Sequence, residues 1–453
     1  MSGDTGGSPR ATLRRVGRDL ANEVVVNILS AVALGALAFV LLGGRIDDLY
    51  MAFRGGAPTS DEVAILGLDE ETFYLWNPAD PTPEVTPRAL LAELVRFLHA
   101  AGAKVVVLDI LTDVPATDDD ALRAALEAHG RVVVAERFAP GIAGDPTPFA
   151  AGSIFSEVAL PAYANLGMEE QTLFSGEMAV RAVPLAQAVA RARLSATFPM
   201  GLVGGWQDDD APTPAVALAG AWLQRSSAPR ENLAAALAER CGGAPLLCTA
   251  GPDWLGLPPA PVPLHEALPL NFRGPEGGDG IPFVSGARAL RSLGESALAR
   301  TLGMDLPLRP PEDLVATLKG RVVVVGRTDA AANDRFVTPF AFPAMQTADM
   351  AGVRIHAQLI DTLLTGRQSR RVGGAVGAWV AALVLGALVV WTARFEGALH
   401  LVGWLVGSAL LLAVGIAAFA QFDGLVLDVG PALAVVACTL LGVHVYARAA
   451  QGG

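Results

Sequence analysis

Apolar and polar positions fall into two kinds of block along this chain. Four runs are apolar almost end to end: Val24–Leu42, Gly373–Ala393, Ala398–Ala420 and about Leu425–Val445. Each is long enough for a helix across a hydrocarbon core, which takes roughly 20 residues. Between the first and second runs, short apolar stretches are broken by Gly, Pro, Asp and Arg. Five of them read as strands: Glu62–Leu68 (EVAILGL), Lys104–Leu108 (KVVVL), Arg131–Ala135 (RVVVA), Leu268–Phe272 (LPLNF) and Val322–Val325. Short β-branched runs without alternation predict strands buried on both faces, as in a parallel sheet. Helical spacing lies between them. One helix starts at Thr86-Pro87, with Thr86 as N-cap, and carries Leu90, Leu91, Leu94, Val95 and Leu98 on its apolar face. Others are expected over Ala121–His129, Thr213–Leu223, Glu231–Arg240 and Ser285–Leu302, with a last, amphipathic one over Val353–Leu364. Strand and helix in alternation predict an α/β fold: a mainly parallel sheet with helices on both faces and right-handed crossovers. To it is joined an α-helical transmembrane bundle, one span before the sheet domain and three after.

Composition supports a membrane protein with one large polar domain. Of 453 residues, 52% are hydrophobic and only 17% charged. The first run reads as an uncleaved anchor rather than a signal peptide. It exceeds the roughly 7–15 apolar residues of a signal core and no A-x-A site closes it. Arg10, Arg14, Arg15 and Arg18 precede it and put the N-terminus in the cytoplasm. The order expected is a cytoplasmic segment 1–23, a span 24–42, an outer domain 44–371, spans 373–393, 398–420 and 425–446, and a cytoplasmic tail 447–453. Arg367, Arg370 and Arg371 fall outside, where snorkelling toward headgroups gives them a role. The bias toward Ala, Leu, Gly and Arg is that of a GC-rich bacterial gene, so the membrane expected is the inner one and the outer domain periplasmic. The net charge of −12 gives no support for nucleic-acid binding. Cys241 and Cys248, in CGGAPLLC, could close a small disulfide loop in an oxidising compartment.

In an open α/β sheet, ligands bind beyond the carboxyl ends of the strands. The groups expected there are Asp69, Glu70, Asp109, Glu136, Arg273, Arg327, Asp329 and Asp334, with His356 approaching from the last helix. Several carboxylates in one crevice could hold a cation or a basic or hydroxylated ligand. Each has a plainer reading too. Acidic residues after strands cap helices or satisfy loop amides, Asp334-Arg335 could be an internal ion pair, and a histidine in an amphipathic helix is often a packed core residue. Signatures of catalysis are missing: no P-loop, no Gly-x-Ser-x-Gly elbow, no His-Glu-x-x-His. No catalytic residue, metal site or cofactor is expected.

Several blocks occur together in order: AILGLDEETF, AGAKVVVLDILTDVP, the DDDAL after it, LPLNFRG, GRVVVVGRTDAAANDRFVTP and MAGVRIHAQLIDTLLTG. Together they resemble the extracellular sensory domain of the type-two CHASE family, over Asp47–Gly366 and on into the bundle. The middle, Pro140–Pro263, matches weakly. The resemblance implies a receptor, and members usually carry a cytoplasmic cyclase or kinase after the last span. Here only seven residues follow Tyr446. The expectation is therefore a sensory subunit that binds a small molecule or protein and relays to a separate cytoplasmic or envelope partner, possibly as a homodimer. The rival expectation is a scaffolding subunit of an envelope complex, with the α/β domain as a docking surface.

Overall fold

The computed structural model describes residues 46–139, 149–151, 153–164, 166, 168–170, 178–180, 182–184, 186–187, 213–227, 233, 249–250, 262–263, 267–301, 308–332, 334–341, 349–371, 406, 410 and 413–426. It divides into two compact units, residues 1–54, 172–176 and 369–453, and residues 55–171 and 177–368.

The second unit is built on a seven-stranded sheet. Its strands are β1 (Val63–Leu68), β2 (Val105–Leu111), β3 (Val132–Ala139), β4 (Phe149–Ala151), β5 (Leu160–Tyr163), β6 (Phe283–Ser285) and β7 (Val322–Arg327). The order is β6-β1-β7-β2-β3-β4, with β5 also on β3, and every pairing but β3–β4 is parallel. The valine strand β7, last of the seven in sequence, lies in the middle: Val324 is in register with Ile65 on one side and Val107 on the other. A strand flanked by strands and covered on both faces has no polar position to fill, which is why its sequence is an unbroken valine run.

Helices cover both faces. They are α1 (Glu70–Trp76), α2 (Arg88–Ala100), α3 (Asp119–His129), α4 (Val216–Arg225), α5 (Gly286–Thr301), α6 (Glu312–Leu318) and α7 (Gly352–Thr365). Side chains alternate across the sheet. Ala64, Leu66, Val106, Leu108, Val132, Val134, Val323 and Val325 therefore pack on one face, against Leu91, Leu94 and Leu98 of α2, Leu122 and Leu126 of α3, and Phe155. Each such side chain, fully buried, contributes roughly 1.5–3 kcal/mol. The other face carries α4 and α7. The approach there is close: a Cβ on Gly220 of α4 would lie 3.1 Å from Val107 Cγ2 and 3.2 Å from Ile360 Cδ1.

Several local expectations need correction. Strand β2 runs on to Leu111 and β3 to Ala139, so Asp109 and Glu136 lie within strands rather than after them. Between β2 and β3 the register steps from Leu108↔Val134 to Leu111↔Ala135. Asp109 and Ile110 form the extra residues of a bulge, a device that re-aims side chains near strand ends. Leu268–Phe272 is a strand only over Ala267–Pro269. Thr86 does not cap α2. Pro87 occupies the cap position without a side-chain bond, and Thr86 is buried. The expected amphipathic helix is α7, and every residue from Gly352 to Leu364 is buried. Its polar stripe Arg354, Gln358, Asp361, spaced i, i+4 and i+7, faces the Asn271–Ile281 segment instead of solvent. The Gln358 side-chain oxygen accepts the Arg273 N–H at 2.7 Å, and Arg354 pairs with Asp279 at 3.1 Å and Glu276 at 3.4 Å.

In the first unit, the helix Ile46–Arg54 buries Tyr50 against Phe419, ring centroids 5.8 Å apart, with the Arg54 guanidinium 4.8 Å over the same ring. Gly415 leaves room for the Tyr50 phenol, which a Cβ there would strike. Arg370–Arg371 pair in parallel with Leu425–Val426, so the last apolar run begins extended, not helical. Among the described residues no helix is long and apolar enough to cross a membrane. The expected spans 24–42 and 373–393 lie wholly outside those residues, as do 398–420 and 425–446 for the most part, together with Cys241, Cys248 and nearly all of the Glu231–Arg240 helix.

Gly326, near the end of β7, tests the packing of α7 on the sheet. A Cβ there would sit 2.7 Å from Val353 Cβ and 3.4 Å from Asp109 Cβ. Gly326→Ala should therefore destabilise the chain by about 1–3 kcal/mol, read as a lower melting temperature of the detergent-solubilised protein.

Candidate functional site

At the carboxyl ends of the central strands, three ionisable side chains from three separate segments meet. Asp109 comes from the β2 bulge, beside Gly326 of β7 in register. It keeps the parity of Val105 and Val107 and so points to the α7 face. His356 comes from the second turn of α7, its Nε2 3.6 Å from Asp109 Oδ1. Asp334 lies between β7 and β8 (Arg335–Val337), which pairs antiparallel with β9 (Asp349–Ala351). That hairpin carries the chain into α7. The Asp334 carbonyl accepts the Gly352 N–H at 3.0 Å, and its carboxylate lies on the bare Cα of Gly352, where a Cβ would be 2.7 Å from Oδ1. Glycine is required here for close approach, not for an unusual φ.

Two of the three groups are shut off from water. Asp109 and His356 side chains are 7% and 3% exposed. Burial pushes the Asp109 carboxyl up to about 7 from an ordinary 3.8. Burial also raises Asp334, helped by the charge of Asp109 and opposed by His356. The imidazole is pushed the other way: burial lowers it, against the pull of Asp334 and the Ala164 backbone at the end of β5. All three shifts have one cause, the cost of a charge in a low-dielectric site. Asp109 Oδ2 and His356 Nδ1 close no hydrogen bond among the described residues.

The other expected residues do not join this cluster. Asp69 caps α1, accepting from the Thr72 N–H at 2.9 Å and from the Thr72 hydroxyl. Glu70 accepts the Ala330 N–H at 2.7 Å. Arg327 and Asp329 form a two-pronged pair at 2.8 and 2.6 Å, the guanidinium stacked 5.0 Å over Phe73. Glu136 accepts the Ser153 N–H at 3.2 Å. Arg273 and Asp361, both fully buried, pair at 3.4 Å, and Asp361 also accepts the Ser60 N–H at 2.7 Å. Arg335 turns to Glu276 and the Asp349 carbonyl rather than to Asp334.

One crevice was expected, and the residues sort instead into four places: the Asp109–Asp334–His356 cluster, the stripe of α7, the loops around α1, and Glu136 at the Ser153 amide. A family model of the CHASE2 domain matches residues 24–393. The chain belongs to the CHASE2 domain family. No curated protein and no solved structure matches it. CHASE2 domains are extracytoplasmic and sensory, so what the cluster does is to be sought in recognition.

Sequence reasoning passed over Arg354, Gln358, Glu276 and Asp279 in this CHASE2 domain. The signal was present in Arg354, Gln358 and Asp361 recurring on one helical stripe. Among the described residues no group of three or more His, Cys, Asp or Glu is arranged to hold a metal ion.

The Arg273–Asp361 pair is structural and strongly so. Replacing one partner leaves the other buried and unmatched, which costs about 3–5 kcal/mol. Arg273→Met should lower the melting temperature of the full chain far more than the double replacement Arg273→Met/Asp361→Leu.

Proposed function

We propose that the chain is the sensory subunit of a bacterial inner-membrane receptor, non-catalytic, anchored by one span before the outer domain and three after. The outer domain is periplasmic. It binds its signal at the carboxyl ends of the central strands and relays it to a separate partner chain. One observation carries this reading: three ionisable groups on three segments are gathered where nothing in the packing requires them. Holding charges out of water costs stability, and such groups cluster where a protein binds or reacts. The Arg–Asp pairs elsewhere are matched one to one, whereas this cluster sets two acids against one histidine.

The relay has a simple path along the chain. His356 and Gly352 belong to α7, the last helix of the unit, and Gly366 ends it in a left-handed turn at φ 68°. Five residues further on, at Arg371, the chain reaches the second apolar run. A signal moves an equilibrium only if it binds one of two states better, and the start of α7 is where binding would act.

The test is to purify the full-length chain from its native membrane in mild detergent and identify by mass spectrometry what accompanies it. A stoichiometric cyclase, kinase or other cytoplasmic enzyme is the expected result. A stoichiometric set of envelope proteins, with no cytoplasmic enzyme, would sink the receptor reading and make the domain a docking scaffold.

A further inference from the structure

We propose that the signal bound at this site is the proton: Asp109, Asp334 and His356 form one proton-binding cluster whose occupancy sets the seating of the first turn of α7. This deepens the sensory reading and rests on it for the relay, though not for the binding itself.

The first argument is charge. Two carboxyls and one imidazole are electrically neutral only when they hold two protons. Either both acids are protonated beside a neutral imidazole, or one is protonated beside an ion pair. Removing one proton to bulk water leaves a net negative charge, and removing two leaves a pair of carboxylates facing each other in an apolar site. Among the described residues no cation stands by to offset them. On α7, Arg354 is taken by Asp279 and Glu276, and Asp361 by Arg273. On β7, Arg327 is taken by Asp329, and on β8 Arg335 by Glu276. On α4, Arg225 pairs with Glu62, and Glu136 of β3 accepts from Ser153. What faces the cluster besides itself is the Ala164 backbone.

The second argument is space. The Asp334 carboxylate lies on Gly352 where no Cβ fits, and Gly326 beside Asp109 has no room for a Cβ against Val353. A ligand that needs no room is the one this enclosure admits as it stands. Asp109 Oδ2, buried and without a hydrogen bond among the described residues, is the lone pair on which a proton can sit. Asp334, only half-buried, is the member through which protons exchange with water.

The third argument is mechanical. Asp334 is bonded to the N-terminus of α7 through its carbonyl and pressed on it through its carboxylate, while His356 is fixed to the second turn of the same helix. Repulsion between Asp109 and Asp334 can be relieved only by moving the β7–β8 loop or the start of α7.

The proton bookkeeping fixes the sign of the pH dependence. An unfolded chain ionises its carboxyls near their ordinary value of 3.8, whereas folded Asp109 waits until about 7. Folded Asp334 is raised in the same direction, and folded His356 is lowered from 6.5. The electrically neutral folded cluster holds two protons, whereas between the two ordinary values the same groups of the unfolded chain hold one. Stability therefore falls as pH rises, with a slope of about one proton up to about pH 6.5 and about two from there to about 7, and levels off above.

The experiment uses the full-length chain in detergent, wild type against Asp109→Asn and Asp334→Asn. The melting midpoint of the wild type is expected to fall between about pH 5 and pH 7, and each Asn variant to lose about one proton of that slope. Infrared spectra of the folded wild type should show a protonated-carboxyl band at about pH 6 that is lost at about pH 8, and each Asn variant should remove part of it. Glu136 and Asp279, also raised by burial, supply their own share, so the difference between variant and wild type is what decides. If one variant fails to fold, the other and the wild-type band still decide. Slopes and bands that survive both substitutions unchanged, or no pH-sensitive carboxyl band at all, would overturn the proposal. The partner purification above can succeed or fail independently, so the two readings fail separately.

Discussion

A helix buried on every side while carrying five strongly polar residues sets the terms for the rest of this domain. Along α7, Arg354, His356, Gln358, Asp361 and Thr362 are all buried. A polar group taken out of water without a partner costs several kcal/mol, so each of these side chains dictates something about its surroundings. Arg354 and Gln358 demand the Gly274–Asp279 loop, and Asp361 demands Arg273 and the Ser60 amide. Thr362 turns back to the Gln358 carbonyl of its own helix. Among the polar side chains of α7, His356 is the one set against acids with no guanidinium beside them among the described residues.

The sheet and the stripe are linked through backbone spacing. Because α7 lies directly on β1 and β7 and against α4, its apolar positions Val353 and Ile360 reach Gly326 of the strand and Gly220 of the helix. Close approach excludes water, and exclusion of water gives the carboxyls their altered affinity for protons. The β2 bulge adds the last condition, presenting Asp109 to α7 from within a strand. Fold, packing and titration behaviour here are consequences of one short helix-to-strand distance.

Much of this was legible in the sequence, for a physical reason. The runs EVAILGL, KVVVL, RVVVA and the valines at 322–325 could only be doubly covered strands, and all four are. Asp109, Asp334 and His356 could be named as candidates because residues at the carboxyl ends of parallel strands converge. What could not be read was which candidates share a place. Asp69 and Glu70 follow β1 as Asp109 follows the valines of β2, yet the first two serve α1 and its neighbouring loop, a local matter, while Asp109 is still inside its strand, on the face that α7 covers. The edge strand Phe283–Ser285 was missed because three residues carry no period. The amphipathic pattern of α7 was legible, but period alone does not say whether water or another loop lies opposite the polar stripe.

The contact between Gly326 and Val353 has a consequence for pairs of substitutions. One methyl-sized volume is shared by a strand and a helix that lie far apart along the chain. A larger residue at 326 fits only if Val353 and the first turn of α7 give way, so substitutions at the two positions are expected not to add in their effects.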